Sequence, residues 1–295
     1  MKNKTLNYFN SNSYERSYIL SAKRILIVLI SFILFYCSEK KNYNKTKFEI
    51  TYPEKFSENG YDGRLLLMIS NNNNAEPRFQ INDSHHTQII FGIDVESWKS
   101  GETQIFDSNV YGYPIKSIGN LKEGEYYVQA FLHKYETFNL STGYKVKLPK
   151  DQGEGQKWNI SPKNLYSTPK KVKISKSGTV KLSLENEISP IEPIKDSKYI
   201  KHVKIKSEML SKFWGRDMFL QANVLVPHNF NKNSKVKYPL MIFHGHFPNT
   251  FRGFRTEPPA APKKDTIYNS RFGITGYKYI QEKEAYDLYK NWISD

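Results

Sequence analysis

The run Lys170-Lys171-Val172-Lys173-Ile174-Ser175-Lys176-Ser177-Gly178-Thr179-Val180-Lys181-Leu182-Ser183-Leu184 decides the fold of the larger part of this chain. Val172 and Ile174 alternate with lysines, and Val180, Leu182 and Leu184 alternate with Thr179, Lys181 and Ser183. Successive side chains of a strand point to opposite faces, so a period of two gives one apolar and one solvated face. Ser177-Gly178, between the two runs, is turn chemistry. Upstream the same pattern repeats: Phe48–Tyr52, Arg64–Ser70, Gln88–Trp98, Glu125–Tyr135 and Tyr144–Leu148 read as strands. Asn59-Gly60, Asp62-Gly63, Ser100-Gly101 and Lys122-Glu123-Gly124 punctuate them, and the Asn71–Asn74 run reads as a loop tip. No long helical period occurs in this stretch.

Regular short strands of this kind predict a β-sandwich of immunoglobulin-like type over residues 47–189. Ser189-Pro190-Ile191-Glu192-Pro193 closes it, because proline suits neither a helix interior nor a central strand. Residues 190–198 are therefore a linker. Beyond it the pattern changes. His202–Ser207 alternates, Met218–Val226 is rich in apolar residues, and Pro239–Phe243 is a short continuous apolar run. The last predicts a strand buried on both faces, as in a parallel sheet. In Gln281–Ile293, Ala285, Leu288, Tyr289 and Trp292 fall on one helical face. Strands followed by a helix predict an α/β domain over 199–295.

At the other end, Lys23-Arg24 precedes the apolar run Ile25–Tyr36, interrupted only by Ser31 and followed by Cys37, the single cysteine. About 12 apolar residues are too few for a spanning helix, which needs about 20, and suit the core of a secretory signal. An apolar run with Leu34 three positions before the cysteine resembles a bacterial lipoprotein signal, although Tyr36 stands where that family has a small residue. The resemblance implies that residues 1–37 are the signal, that Cys37 is the lipid attachment point and that 38–46 are a polar tether. The protein would then be exported and anchored in the cell envelope through its lipid. The competing reading is an uncleaved anchor with a buried, inert cysteine.

Ser207-Glu208-Met209-Leu210, then Leu225-Val226-Pro227, then Tyr238-Pro239 running into His244-Gly245-His246-Phe247, resembles the esterase branch of the α/β hydrolases. In that branch an immunoglobulin-like domain often precedes the hydrolase domain. The resemblance covers about a third of the chain. It implies serine nucleophilic catalysis on an ester, with backbone N–H groups stabilising the oxyanion. His244 and Gly245 would form the oxyanion loop, and the N–H of His246 or Phe247 would be the donor. The competing reading leaves Gly245 as a strand end and both histidines structural. The Gly-x-Ser-x-Gly elbow that the family requires occurs nowhere in the 295 residues, and neither the acid nor the base is identified. The family's domain takes roughly 200 residues or more, so the expectation is the first part of an esterase domain, inactive by itself. The alternative function is a carbohydrate- or protein-binding module on an exported lipoprotein.

Other candidates rank lower. His244 and His246 at alternate positions could share a divalent metal, but no acidic residue flanks them and no histidine follows; no metal and no cofactor is expected. Asp94 and Glu96 share a strand face, the arrangement of a glycosidase pair, and read as a solvated face. Arg252 and Arg255 read as surface-loop residues. The chain has 44 basic against 29 acidic residues, a net +15, which raises the question of nucleic acid. Between Lys145 and Lys212 there are 16 lysines against 7 acidic residues, alternating with Val, Ile and Leu. That is the composition of solvated strand faces, and no nucleic-acid motif accompanies it. A weak attraction to anionic headgroups fits better. The sequence does not specify the oligomeric state.

Overall fold

The computed structural model describes residues 44–57, 59–150, 157–233, 235–243, 253–260, 267–269, 274–275 and 277–294. Strands follow in chain order: β1 Lys45–Thr51, β2 Tyr61–Ser70, β3 Ile89–Trp98, β4 Gln104–Phe106, β5 Gly112–Tyr113, β6 Gly124–Asn139, β7 Lys145–Pro149, β8 Leu165–Tyr166, β9 Lys170–Ile174, β10 Ser177–Ser183 and β11 Asn186–Glu187. They form two sheets. One is β10-β1-β4; the other runs β11-β8-β6-β2-β3-β5, with β7 and β9 also on β6. Lys170–Leu184 divides between them: β9 pairs antiparallel with β6, and β10 crosses to pair in parallel with β1.

Alternation fixes what lies between the sheets. Phe48 and Ile50 of β1, Phe106 of β4 and Leu182 of β10 face Leu65, Leu67 and Ile69 of β2, Phe91 of β3, Val128, Ala130 and Leu132 of β6 and Ile174 of β9 in one buried core. This is a β-sandwich-like domain, with nineteen buried hydrophobic residues in a single cluster as its main source of stability. At one end Tyr52 donates to the Trp98 carbonyl at 2.7 Å, and their rings meet edge to face. The first strand starts earlier than the expected tether allows. Asn44 and Thr46 are buried, and Asn44 donates to the Leu121 carbonyl, so residues 44–46 are part of the sandwich.

After the exposed, irregular residues 189–198 come β12 Ile200–Lys206, α1 Glu208–Trp214 and β13 Phe219–Leu225. β12 and β13 form a two-stranded antiparallel ladder. A short antiparallel pair, β14 Ile267–Asn269 and β15 Ile274–Thr275, and the helix α2 Tyr277–Ile293 complete the described residues. No parallel strand pair forms among the described residues of 199–295, so a parallel α/β sheet is absent there. Pro239–Phe243, expected as a strand buried on both faces, is irregular and exposed instead. Leu240, Met241, Ile242 and Phe243 are 79–91% exposed. A central strand needs a neighbour on each side to satisfy its backbone, and none stands beside this run among the described residues. The hairpin shows the same discrepancy: Ile205 and Leu220 are more than half exposed, although their alternation predicts one buried face.

Candidate functional site

Cys37, His244, Gly245, His246, Phe247 and Arg252 lie outside the described residues. Residues 235–243 before the His-Gly-His-Phe stretch and 253–260 after it are described. Tyr199 at the start of β12, Phe254 and Tyr289 of α2 form a three-ring cluster with centroids 5.7–5.9 Å apart. Val226 and Ala285 are buried with Tyr199 and Phe254. The Trp292 indole donates to the Val226 carbonyl at 2.8 Å. Arg255 pairs with Glu282 of α2 at 2.7 Å and donates to the Glu257 and Pro258 carbonyls. It is thus a clamp between loop and helix. Val226, Tyr199, Phe254 and the Ala285, Tyr289 and Trp292 side of α2's second half form a small aromatic core.

The hairpin is joined to the sandwich through α1. Ser207 caps α1, its hydroxyl accepting from the Leu210 N–H, so the Ser-x-x-Leu step is a helix start. Gly215 ends the helix at φ +66°, and a Cβ there would come within 2.4 Å of the Asn139 carbonyl oxygen. Trp214 packs edge to face on Phe138 of β6 at 5.4 Å, Arg216 pairs with Glu136, and the Ser141 N–H donates to the Phe213 carbonyl at 2.9 Å.

The other expected sites fall apart into separate pairs. Asp94 pairs with Arg64 at 2.9 Å, and Glu96 shares Lys147 with Asp62. Both carboxylates are mostly exposed, as a solvated face requires. The backbone N–H of Ser97, and then Lys147, hold the Asp62 carboxyl below the usual range. His202 lies 3.3 Å from Asp196, whose pKa is lowered chiefly by the His202 backbone N–H. Among the described residues no three His, Cys, Asp or Glu side chains converge on a metal position, and no helix is long and apolar enough to cross a membrane.

Two polar clusters escaped the sequence reading. Gln129 is fully buried on the outer face of the large sheet, under residues 76–80 and 157–167. Its Oε1 accepts from the Arg78 N–H at 3.1 Å, and its Nε2 donates to Glu76 at 2.8 Å and to the Ser167 carbonyl at 2.9 Å. Arg78 pairs with Glu76 and stacks on Tyr166 at 4.0 Å. In the second cluster Lys134 continues the inward register of Val128, Ala130 and Leu132. Its ammonium lies 4.2 Å from the Tyr61 ring and 3.5 Å from Glu187, which also binds Lys163. Burial pushes the Lys134 pKa down, and Glu187 opposes that only in part. A lysine at an inward register position is the signal that could have found Lys134, whereas Gln129, at an outward position where a polar residue is expected, carries none. Comparison with protein-family models, with curated proteins and with solved structures finds no match to this chain.

Proposed function

We propose that this chain is an exported, membrane-tethered, esterase-like hydrolase, with an immunoglobulin-like sandwich serving as the accessory domain and the segment from Tyr199 opening an α/β hydrolase sheet. The observation that carries this reading is the uncovered apolar pattern of the hairpin. Ile205, Leu220 and the whole of Leu240–Phe243 are patterned for burial in a wider sheet, while α1 fixes the hairpin to β6. In the proposed chemistry the N–H of His246 or Phe247, freed by the permissive backbone of Gly245, meets the oxyanion of an ester. The nucleophile elbow is absent from these 295 residues, so the oxyanion loop has no serine to work with and the chain alone does not turn over.

Purified chain assayed on chromogenic short-chain esters is expected to match buffer; turnover above buffer would overturn the inactivity. The DNA beyond codon 295 tests the esterase assignment itself. A coding stretch there, in any frame, with Gly-x-Ser-x-Gly after an apolar run supports it. Its absence overturns it in favour of the binding module.

A further inference from the structure

On the outer face of the large sheet, residues 76–80 and 157–167 cover Gln129 and Phe131, and the face from β2 to β5 stays open. The edge strand β5 borders this open part. Gly112 stands opposite Phe91, and a Cβ there would come within 2.3 Å of the Phe91 ring, so β5 lies close against β3. Tyr113, opposite outward-facing Ile90, shares the outer face with Tyr111, two residues away. The two tyrosines are 56% and 67% exposed. Their loop is built: Val110 and Ile115 pack on the core, the Gly112 N–H donates to the Lys116 carbonyl, and the Ser117 hydroxyl donates to the Ser108 carbonyl. Beside them Arg64 crosses β3 at Gly92. Its guanidinium donates to the Gly92 carbonyl at 3.1 Å and to the Asp94 carboxylate at 2.9 Å. A Cβ on Gly92 would sit 3.0 Å from the Arg64 Nε, so the glycine lets the guanidinium lie along the strand. The Asp94 side chain is 69% exposed, so much of its accepting capacity faces solvent. On the other side of β2, His133 stands opposite Arg64 and Tyr135 opposite Asp62, and the two rings meet edge to face at 5.8 Å. Burial raises the Tyr135 pKa, the Asp94 charge adds to that and Arg64 opposes it, so the hydroxyl stays neutral within the field of the pair.

We propose that this face binds an uncharged glycan chain, with Tyr111 and Tyr113 as the stacking platform and Arg64, Asp94 and Tyr135 as the hydrogen-bonding row. The site lies wholly on the sandwich and does not depend on the hydrolase reading. A sugar ring has apolar C–H faces and a rim of hydroxyls. The faces pack on exposed aromatic rings. Each hydroxyl both donates and accepts, which suits a guanidinium held beside a carboxylate and a phenol. Two tyrosines two steps apart on a strand are about 7 Å apart, so they meet neighbouring units of a chain and not one small ring. The charges select against an ionic partner. Arg64 pairs with Asp94, and Lys147 is shared by Asp62 and Glu96 in the next row. Two cations held by three carboxylates offer no excess of positive charge to a phosphate or an acidic chain.

The test is binding of the labelled full chain to a printed array carrying neutral gluco-, xylo-, manno- and galacto-configured oligosaccharides beside acidic ones, at about 0.05 M and about 0.5 M salt. Binding to at least one neutral series is expected, stronger for longer chains and equal at both salt concentrations. No binding to any neutral series, binding to acidic glycans alone, or binding that high salt abolishes overturns the proposal. Isothermal titration with the best neutral oligosaccharide then locates the site. The double variant Tyr111→Ala, Tyr113→Ala is expected to bind at least about tenfold more weakly, and Asp94→Ala about tenfold more weakly. Tyr144→Ala removes a tyrosine that is 71% exposed in the turn between β6 and β7 and is expected to bind as wild type does. Affinity kept in both of the first two variants, or lowered equally by Tyr144→Ala, overturns the site. Urea midpoints equal to wild type establish that the variants fold. If the tyrosine pair proves necessary for folding, the exposed Asp94→Ala carries the test by itself, and unchanged affinity there overturns the proposal.

Discussion

Replacing Gln129 by Ala should be far more costly than its position suggests. On alternation it belongs to the outward set of β6, and an outward residue on a solvated face changes stability by no more than about 0.5 kcal/mol when replaced. In the structure it is 0% exposed and satisfies the Arg78 N–H, the Ser167 carbonyl and part of the Glu76 carboxylate. Glu76 keeps Arg78, but the Arg78 N–H loses its acceptor and the Ser167 carbonyl its donor. Each such buried group costs about 1–3 kcal/mol, so the total is about 3 kcal/mol after water relieves some of it. That is a large share of the roughly 5–15 kcal/mol that usually holds a domain together, and corresponds to about 6–12 °C in Tm. Equilibrium urea unfolding followed by circular dichroism would read it as a lower midpoint at unchanged slope. Lys181→Ala, on the exposed face of β10, is the control and should leave the midpoint where it is. A loss below about 1 kcal/mol for Gln129→Ala would refute the covered outer face, because it would mean that residues 76–80 and 157–167 leave the site open to water.

Gly215→Ala sets a Cβ against the Asn139 carbonyl at a left-handed backbone position, so α1 should lift from β6. Limited proteolysis would then cut residues 190–198 roughly tenfold faster while the sandwich midpoint stays unchanged; equal cutting would show that the α1 seat does not hold the hairpin. Lys134→Met should leave the protein at least as stable as wild type near neutral pH, because burying the ammonium costs more than Glu187 returns. The sign of the pH effect follows from the lowered Lys134 pKa. The unfolded chain binds the extra proton between the folded pKa and the ordinary 10.5, so wild-type stability gains from Lys134 as pH rises through that window. The gap between the Lys134→Met variant and wild type should therefore narrow on raising the pH. A gap that widens, or a variant less stable at neutral pH, would refute the account. The raised tyrosine pKa values of Tyr52, Tyr61, Tyr126 and Tyr135 oppose the trend but act on both proteins.

The sandwich was legible because one-sided burial imposes a period of two, and the chain shows it in β2, β6, β9 and β10. The pairing was not. Nothing in Lys170–Leu184 says that β10 leaves β9 for a parallel place beside β1; long-range hydrogen bonding and core shape decide that. Alternation also fails where a face has a second cover. Gln129 and Phe131 read as outward, and loop residues such as Trp158, edge to face with Phe131 at 5.2 Å, bury them. In the C-terminal segment the pattern is readable and the burial it implies is missing. Leu240–Phe243 has the sequence of a central strand and no strand beside it among the described residues, so apolar content there reports what the segment is made to pack against. The helix α1 was legible in retrospect from Ser207 as N-cap and Gly215 as the left-handed stop, a spacing obscured by the strand-like residues on either side. The oxyanion-loop residues themselves stay at the level of resemblance.

Strand β6 connects the two ends that matter. Gly124 stands opposite Ile174 where β6 begins, and Phe138 near its other end carries Trp214 of α1. Roughly fourteen steps along a strand at about 3.3 Å each place the hairpin seat about 45 Å from the Gly124 end of β6. One strand thus both crosses the core of the sandwich and seats α1, so the stability of the sandwich and the attachment of the hairpin rest on the same element.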